Sequence, residues 1–265
     1  MGTQGNDLRG KCALITGSTG GIGFATAARL AAEGCDIILN GLAGAGEIAR
    51  RRDEIATGFG VRAMYHGADL RDPGQIDDLM NAAAAFGGVD ILVNNAVVRH
   101  FAPIEDFPVD RWNEALAVNL SAAFHTVRLA LPGMRARNFG RIINMSSVYG
   151  SFATANRIDY VTTKTALIGL TRAVAIETVG HDITCNAICP GLVQTPAIDA
   201  RIGAEAERHG TSLAEATRRF LADRQPTGRF VAGEGVAALI AFLCGPGGRD
   251  ITGAALPVDG GWLAS

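Results

Sequence analysis

Short apolar segments rich in β-branched residues alternate with helix-like segments along almost the whole chain. The predicted strands span residues 11–16, 36–40, 61–66, 90–95, 141–146, 183–189 and 254–258. The predicted helices lie near residues 21–33, 46–57, 74–86, 110–131, 155–178 and 234–244. Apolar strands that alternate with helices are typical of a parallel sheet covered on both faces. The pattern therefore predicts an α/β fold with a doubly wound parallel sheet of about seven strands.

One segment, residues 192–230, falls outside this alternation. The chain of 265 residues shows no internal repeat and no linker, so we predict a single domain over residues 1–265. The segment 192–230 is charged and helical in pattern, and connections of that length inside a compact domain are usually functional. We predict that it forms a helical lid over a substrate site.

Charge and hydropathy exclude several classes of protein. The net charge of −2 offers no electrostatic footprint for nucleic acid, and the basic cluster at residues 50–52 is explained by a solvated helix face. No apolar run approaches the roughly 18 residues of a membrane span. The N-terminus lacks a signal-peptide core, and Asn6 stands where a myristoylation signal requires Ser or Thr. We expect a soluble, cytoplasmic protein.

The five cysteines and five histidines show no pattern of a disulfide framework or metal site. The cysteines lie mostly in apolar stretches without a C-x-x-C pair, which indicates buried thiols in a reducing compartment. The histidines are scattered without ligand spacing. We predict no catalytic metal.

A glycine-rich loop, TGSTGGIG at residues 16–23, joins the first predicted strand to the first helix. Gly17, Gly21 and Gly23 let the backbone turn tightly and approach a ligand, and the following helix presents free N–H groups to a pyrophosphate. Their spacing differs from the common G-x-G-x-x-G fingerprint. The loop predicts a dinucleotide site, and the alternative is a tight turn that binds nothing.

The end of the second strand normally selects between NAD and NADP. Here the segment ILNGLAG has Asn40 and Gly41 at that point, and no Arg or Lys follows. A 2′-phosphate without a charged partner is poorly held, so we predict NAD and consider NADP the less favoured cofactor.

Tyr160 and Lys164 are four positions apart in a predicted helix, so they share one helical face. Lys11 and Lys164 are the only lysines among 24 lysines and arginines, which indicates that an ammonium is specifically required at 164. A nearby cation lowers the pKa of a phenol and suits it to proton transfer. The alternative is a tyrosine at a helix edge beside a solvated lysine.

With the glycine loop and the NNA at residues 94–96, this Tyr-x-x-x-Lys pair resembles the short-chain dehydrogenase/reductase family over nearly the whole chain. Ser147 precedes Tyr160 by 13 positions and Asn119 precedes it by 41, which are the family's spacings for its catalytic serine and asparagine. The resemblance implies a Rossmann fold and hydride transfer between a nicotinamide cofactor and a secondary alcohol. It implies that Ser147 binds the substrate oxygen, Tyr160 transfers the proton, Lys164 holds the nicotinamide ribose and Asn119 positions a relay water.

The same resemblance implies the other cofactor contacts and the assembly. Asp69 and Leu70 would flank the adenine, Asn95 would lie on the adenosine side, and Thr195 would meet the carboxamide. The full implied set is Gly17, Thr19, Gly21, Ile22, Gly23, Asp69, Leu70, Asn95, Ala96, Tyr160, Lys164, Pro190, Gly191, Val193 and Thr195. The family and the apolar C-terminal segment, which a monomer would leave partly exposed, predict a homotetramer.

A closer resemblance, to bacterial D-3-hydroxybutyrate dehydrogenases, is carried by ILNG, IEDFP, NLSAAFH, NAICPG, RQP and VDGGW. It implies a substrate pocket formed by Arg99, Ser147, Tyr149, Arg157, Leu192, Arg201 and Trp262. Those enzymes have Gln, His, Lys and Gln in place of Arg99, Tyr149, Arg157 and Arg201, and Trp in place of Leu192. Val97 replaces the glycine that ends the family's NNAG.

Three arginines around the predicted pocket favour an anionic substrate, because guanidinium binds carboxylate in bidentate geometry. The alternative is that they are solvated charges of the lid and rim. We predict an NAD-dependent oxidoreductase that acts on a small 3-hydroxybutyrate-like hydroxy acid. Two alternatives remain, a ketone reductase of broader or non-acid specificity and a non-catalytic scaffold that senses a dinucleotide.

Overall fold

A single parallel sheet forms the centre of the protein in the computed structural model, which describes residues 8–265. Its strands are β1 (Cys12–Ile15), β2 (Asp36–Asn40), β3 (Ala63–His66), β4 (Ile91–Asn94), β5 (Gly140–Met145), β6 (Ile183–Pro190) and β7 (Ala255–Val258). Within the described residues the seven strands are ordered β3-β2-β1-β4-β5-β6-β7. The predicted doubly wound sheet is confirmed, and the order reverses between β1 and β4, where such folds bind ligands. Residues 1–7 lie outside the described residues. They include Asn6 and most of the N-terminal segment to which the signal-peptide and myristoylation predictions refer.

Helices cover both faces of the sheet. They are α1 (Gly21–Ala32), α2 (Ala45–Phe59), α3 (Pro73–Phe86), α4 (Val109–Leu116), α5 (Ala122–Arg137), α6 (Ile158–Thr178), α7 (Pro196–His209), α8 (Leu213–Ala222) and α9 (Gly233–Cys244). The helix predicted near 110–131 is therefore divided into α4 and α5 by a π-helical turn over Ala117–Ser121. It also continues past its predicted end, through Pro132, and ends before Asn138, which adopts a left-handed conformation.

The alternating directions of strand side chains divide the core into two layers. In β1, Ala13 and Ile15 pack toward α1 and α9, whereas Cys12 and Leu14 pack toward α3, α5 and α6. All four side chains are buried. Burial of a side chain the size of Leu or Ile contributes about 1.5–3 kcal/mol, so these layers hold the strand ends, and the loops that follow them, in place.

Residues 192–230 form a small helical unit, as the sequence predicts. Helix α7 begins at the N-cap Thr195 and α8 at the N-cap Ser212. The two helices enclose their own apolar cluster, which includes Phe220. At the base of the unit Val193 pairs with Val231, and Gln225 accepts a hydrogen bond from the backbone N–H of Leu192.

Some features relevant to function class can be stated for the part of the chain that the structure describes. Over residues 8–265 no helix combines the length and apolar character needed to cross a membrane. The same residues contain no group of three or more His, Cys, Asp or Glu side chains placed to hold a metal ion. The five cysteines are buried and unpaired by disulfides.

Candidate active site

The glycine loop lies at the carboxyl end of β1 and requires glycine at two points. Gly17 has a φ of +61°, and a Cβ there would lie 2.8 Å from the Cα of Ala96. A Cβ on Gly23 would lie 2.3 Å from the carbonyl oxygen of Gly17. The amide of Asn95 also donates to the carbonyl oxygens of Thr16 and Gly17, each at 2.9 Å. Loop, helix α1 and the end of β4 are thus packed in direct contact.

The N-terminus of α1 is open and suited to a pyrophosphate. Its N-cap is Gly20, no side chain caps the first turn, and no acidic residue lies in that turn. A Cβ built on Gly20 or Gly21 meets no atom within 4 Å. Free backbone N–H groups and a positive helix end therefore face unobstructed space, which is the arrangement that binds phosphate. The residues present fit a nicotinamide dinucleotide.

The end of β2 has no charged side chain to meet the adenosine ribose. Asn40 is buried, and its amide donates to the carbonyl oxygens of His66 and Ala68 at 3.0 and 3.1 Å. The hydroxyl of Tyr65 donates to the carbonyl oxygen of Gly41 at 2.5 Å. Leu42 follows with 68% of its surface exposed. The Asn40 amide is therefore committed inside the fold, and Leu42 is the next side chain to face solvent.

The other predicted cofactor residues have mixed surroundings. The carboxylate of Asp69 pairs with Arg71, whose hydrogen bonds lower the pKa of that carboxyl. Leu70 is buried in the core layer that faces α3 and α5, and Ile22 packs against the opposite layer, which faces α1 and α9. Thr19 would contact a side chain placed at Gly41. The remaining predicted residues lie at the end of β6 and just after it. Pro190 is the last residue of β6, and Gly191 abuts Gln225 and Asp259. Val193 pairs with Val231, and Thr195 accepts a hydrogen bond from the Ile198 N–H.

The structure brings Ser147, Tyr160 and Lys164 together. Ser147 begins the short turn after β5, its hydroxyl accepts a hydrogen bond from the Tyr149 N–H at 3.2 Å, and its proximity to the Tyr160 phenol helps to lower the pKa of that phenol. Lys164 donates from Nζ to the carbonyl oxygen of Met145 at 2.6 Å, and Nζ lies 5.5 Å from the centroid of the Tyr160 ring. An ammonium has three donors, so further donors of Lys164 can serve a ligand. All three side chains are buried.

The electrostatics of this group suit proton transfer by Tyr160. Burial by itself raises the pKa of the phenol, but the charges of Lys164, Arg99 and Arg157 and the nearby Ser147 hydroxyl together hold that pKa below its usual value. Burial lowers the pKa of the Lys164 ammonium, and the Tyr160 phenolate acts in the opposite direction. A phenol with a lowered pKa exchanges protons nearer neutrality than a free tyrosine does.

Asn119 lies in the π-helical turn between α4 and α5, a kind of turn found often at functional sites. Its Oδ1 accepts from the Val98 N–H at 2.8 Å, and its Nδ2 donates to the Val98 carbonyl oxygen at 3.0 Å and to Thr163 at 3.4 Å. The amide therefore fixes the backbone of the loop after β4. The predicted role of Asn119 in positioning a water remains a prediction.

Two of the three predicted arginines surround Tyr160. The guanidinium of Arg157 lies 4.6 Å from the Tyr160 ring centroid and 4.2 Å from that of Phe101, and Arg99 lies 5.3 Å from the Tyr160 ring. Within residues 8–265 neither Arg99 nor Arg157 lies within ion-pair distance of a carboxylate, although the charge of Asp159 acts on Arg157. Burial and the charge of Arg99 lower the pKa of Arg157. The pair leaves positive charge available beside Tyr160.

An aromatic wall lines the same side of the site. The rings of Tyr149, Phe152 and Trp262 lie 5.1 to 5.6 Å apart, and Tyr149 lies 6.2 Å from Tyr160. Sequence reasoning identified Tyr149 and Trp262 but missed Phe152 and Phe101. The available signal was the presence of large aromatic residues in loops next to Ser147 and Arg99.

Two predicted pocket residues lie elsewhere in this conformation. Arg201 is exposed on α7, and its guanidinium lies 5.3 Å from the ring of Phe220 on α8. Leu192 packs against the apolar cluster of the helical unit at 192–230. Both residues therefore belong to the predicted lid, and within residues 8–265 neither forms a hydrogen bond or ring contact with Tyr160.

Comparison with known proteins identifies the family. A family model described as Enoyl-(Acyl carrier protein) reductase matches residues 17–263. A D-beta-hydroxybutyrate dehydrogenase of Cupriavidus necator is 46% identical over 259 residues, covering 97% of this chain and 99% of that protein. One of Rhizobium meliloti is 43% identical over 255 residues, covering 96% and 99%.

Solved structures agree with this assignment. The crystal structure of L-sorbose reductase from Gluconobacter frateurii, complexed with NADPH and L-sorbose, superimposes with a TM-score of 0.93 at 30% identity, covering 99% of this chain and 100% of that one. The family match spans nearly the whole chain and includes Ser147, Tyr160, Lys164 and the glycine loop from Gly17 onward. The chain is an oxidoreductase that binds a nicotinamide dinucleotide, and it belongs to the short-chain dehydrogenase/reductase family.

Proposed function

We propose that this enzyme interconverts a small 3-hydroxy acid, similar to 3-hydroxybutyrate, with the corresponding 3-oxo acid. The observation that carries the proposal is the placement of Arg99 and Arg157 around the Tyr160 ring, where the Asp159 carboxylate acts on Arg157 but no residue among 8–265 forms an ion pair with either guanidinium. A substrate carboxylate would supply the missing partner in charge-assisted hydrogen bonds. Two relatives named for D-beta-hydroxybutyrate support the same substrate class.

The chemistry follows from the residues of the site. Nicotinamide dinucleotide, when bound, accepts or supplies the hydride. Ser147 binds the substrate oxygen, and Tyr160 removes the proton from an alcohol or donates one to a ketone. The Lys164 charge keeps the phenol pKa low, while the Met145 carbonyl oxygen fixes the ammonium in place. Asn119 would position a relay water, in addition to holding Val98.

We propose NAD as the cofactor. It would occupy the open N-terminus of α1, with Asp69, Leu70 and Asn95 on the adenosine side and Thr195 beside the carboxamide. Leu42, the exposed residue after β2, offers no charge to a 2′-phosphate. The structural neighbour with bound NADPH makes a direct comparison of NAD and NADP necessary. The expected result is a higher kcat/KM with NAD.

A second candidate function is a ketone reductase of broader specificity. The wall formed by Tyr149, Phe152 and Trp262 would accommodate a larger apolar or cyclic body than a hydroxybutyrate methyl group requires. The similarity to L-sorbose reductase, a protein named for a neutral sugar, favours the same candidate. A non-catalytic scaffold is not supported, because it would have no need of a buried Ser147, Tyr160 and Lys164 group.

We propose a homotetramer in the cytoplasm. The side chains of Phe124, Ile176 and Val179, on α5, α6 and the residue after α6, are between 50% and 72% exposed, and apolar surfaces of this kind mark subunit contacts. The buried, unpaired cysteines fit a reducing compartment. The unit at 192–230 would act as a lid that brings Arg201 toward the substrate.

The test of the acid substrate compares arginine variants on two kinds of alcohol. Arg157→Ala and Arg201→Ala are each expected to lower kcat/KM for the best hydroxy acid tenfold or more, since a hydrogen bond between charged groups is worth about 1.5–3 kcal/mol. At a pH high enough to ionise Tyr160 in every variant, where the effect of Arg157 on the phenol no longer matters, a neutral secondary alcohol should be much less affected. Arg208→Ala is the matched control, because Arg208 is an exposed arginine on the same helix as Arg201.

Equal losses on the acid and the neutral alcohol would contradict the proposal, as would no loss in either variant. A loss confined to Arg157→Ala would support the acid substrate and show that Arg201 does not bind its carboxylate.

A further inference from the structure

A buried carboxylate lies one residue before the catalytic tyrosine and has no role in the mechanism above. Asp159 is 0% exposed in the first turn of α6. Its Oδ2 accepts a hydrogen bond from the backbone N–H of His100 at 3.2 Å, while Oδ1 has no hydrogen-bond partner among the described residues. Burial of an incompletely paired carboxylate is costly, so its presence here calls for a functional explanation.

The partner of Asp159 belongs to the loop that carries Arg99. This loop, residues 97–101, is fixed on one side of Arg99 by the two hydrogen bonds between Val98 and Asn119. It is fixed on the other side by the hydrogen bond between His100 and Asp159. Arg99 itself is exposed, so packing does not hold its guanidinium over the Tyr160 ring.

We propose that Asp159 is a positioning residue whose carboxylate fixes the 97–101 loop, so that the Arg99 guanidinium stays over the ring of Tyr160. The inference rests on the proposed role of Tyr160 in proton transfer. Without the acceptor at residue 159, only the Val98 side of the loop remains fixed by these hydrogen bonds, and Arg99 moves away from the ring for part of the time.

The charged groups around Tyr160 determine in which direction the phenol pKa moves when Asp159 is replaced. Arg99 from the loop, Arg157 from the start of α6 and Lys164 from its second turn all lower the phenol pKa, as does the Ser147 hydroxyl from the turn after β5. Tyr149, from that same turn, also faces the ring. Around Asp159 itself the titratable groups are His100, whose Nε2 lies 3.3 Å from Glu114, and Arg157.

Loss of the Asp159 charge has a direct and an indirect effect on the Tyr160 pKa, and the two effects have opposite directions. The direct effect of removing an anion near Tyr160 is to lower the phenol pKa further. The indirect effect of releasing Arg99 is to raise it. A positioning role therefore predicts that the pH profile moves upward, and a purely electrostatic role of the carboxylate predicts that it moves downward.

The experiment measures kcat/KM for alcohol oxidation against pH in D159A and D159N, with wild type and R99A alongside. D159A removes the acceptor, so its rising limb should move to higher pH and kcat/KM at neutral pH should fall about tenfold, the effect of one lost hydrogen bond. D159N keeps an acceptor oxygen for the His100 N–H and should recover most of this loss. In the R99A background, D159A should cause no further upward movement of the limb, because only the direct effect of the lost anion remains.

A limb that moves downward in D159A, or an equal shift in the R99A background, would overturn the proposal. So would a D159N variant as impaired as D159A. If D159A does not fold, D159L takes its place, since it fills a similar volume without an acceptor. If Y160F keeps the same rising limb as wild type, Tyr160 is not the proton-transfer residue. Failure of that proposed role is therefore distinguishable from failure of the positioning role of Asp159.

Discussion

Substitution of Tyr160 by Phe removes one oxygen and leaves the rest of the site in place. The ring is 6% exposed and is surrounded by the side chains of Arg99, Arg157, Lys164 and Tyr149. A phenylalanine ring keeps those packing and cation–π contacts. The fold therefore loses only the polar interaction of the phenol with the nearby Ser147 hydroxyl, which contributes no more than a hydrogen bond, about 0.5–1.5 kcal/mol, so the protein should remain folded.

The catalytic loss should be far larger than the structural one. A positioned acid or base contributes roughly 10²–10⁴ in rate, which equals about 2.7–5.5 kcal/mol of barrier. Turnover in Tyr160→Phe should fall by a factor of at least about 10². Cofactor affinity should change little, because the glycine loop and the N-terminus of α1 are untouched by the substitution.

The assay is steady-state formation of the reduced cofactor with the best alcohol, accompanied by titration of cofactor binding through protein fluorescence. Tyr149→Phe is the matched control, since it removes a hydroxyl from the neighbouring ring without removing the proton donor, and it should lose less than tenfold. Turnover of Tyr160→Phe within about tenfold of wild type would refute the assignment of Tyr160 as the proton-transfer residue.

Three further predictions follow from the same structure. Alcohol oxidation needs the Tyr160 phenolate, so kcat/KM should rise with pH through the lowered pKa of Tyr160. Arg157→Gln should move that rise to higher pH. An unchanged pH profile in this variant would show that Arg157 does not affect the Tyr160 pKa. Leu42→Arg should shift preference toward NADP, because the exposed position accepts a guanidinium without disturbing the core, and kcat/KM with both cofactors is the measurement. Light scattering at micromolar concentration should give the mass of a tetramer, and a monomer mass would contradict the proposed assembly.

Much of the candidate site could be predicted because its residues are related either by local helix and loop geometry or by the spacing typical of the family. The Tyr160 and Lys164 pair depends only on helical geometry, and the glycine loop depends only on a strand followed by a helix. Ser147 and Asn119 followed from family spacing. The structure then adds what spacing does not contain, namely the hydrogen bond of Lys164 to Met145 and the two hydrogen bonds between Asn119 and Val98.

The amino-acid sequence by itself determined the order of strands and helices, because alternating apolar patterns reflect local periodicity and burial. The tertiary structure alone decided which side chains from distant segments meet. It placed Arg99 and Arg157 at Tyr160 but left Arg201 on the predicted lid, and it joined the buried Asp159 to a loop 59 positions away in sequence. Such contacts arise from the packing of whole helices against the sheet, which no local pattern records.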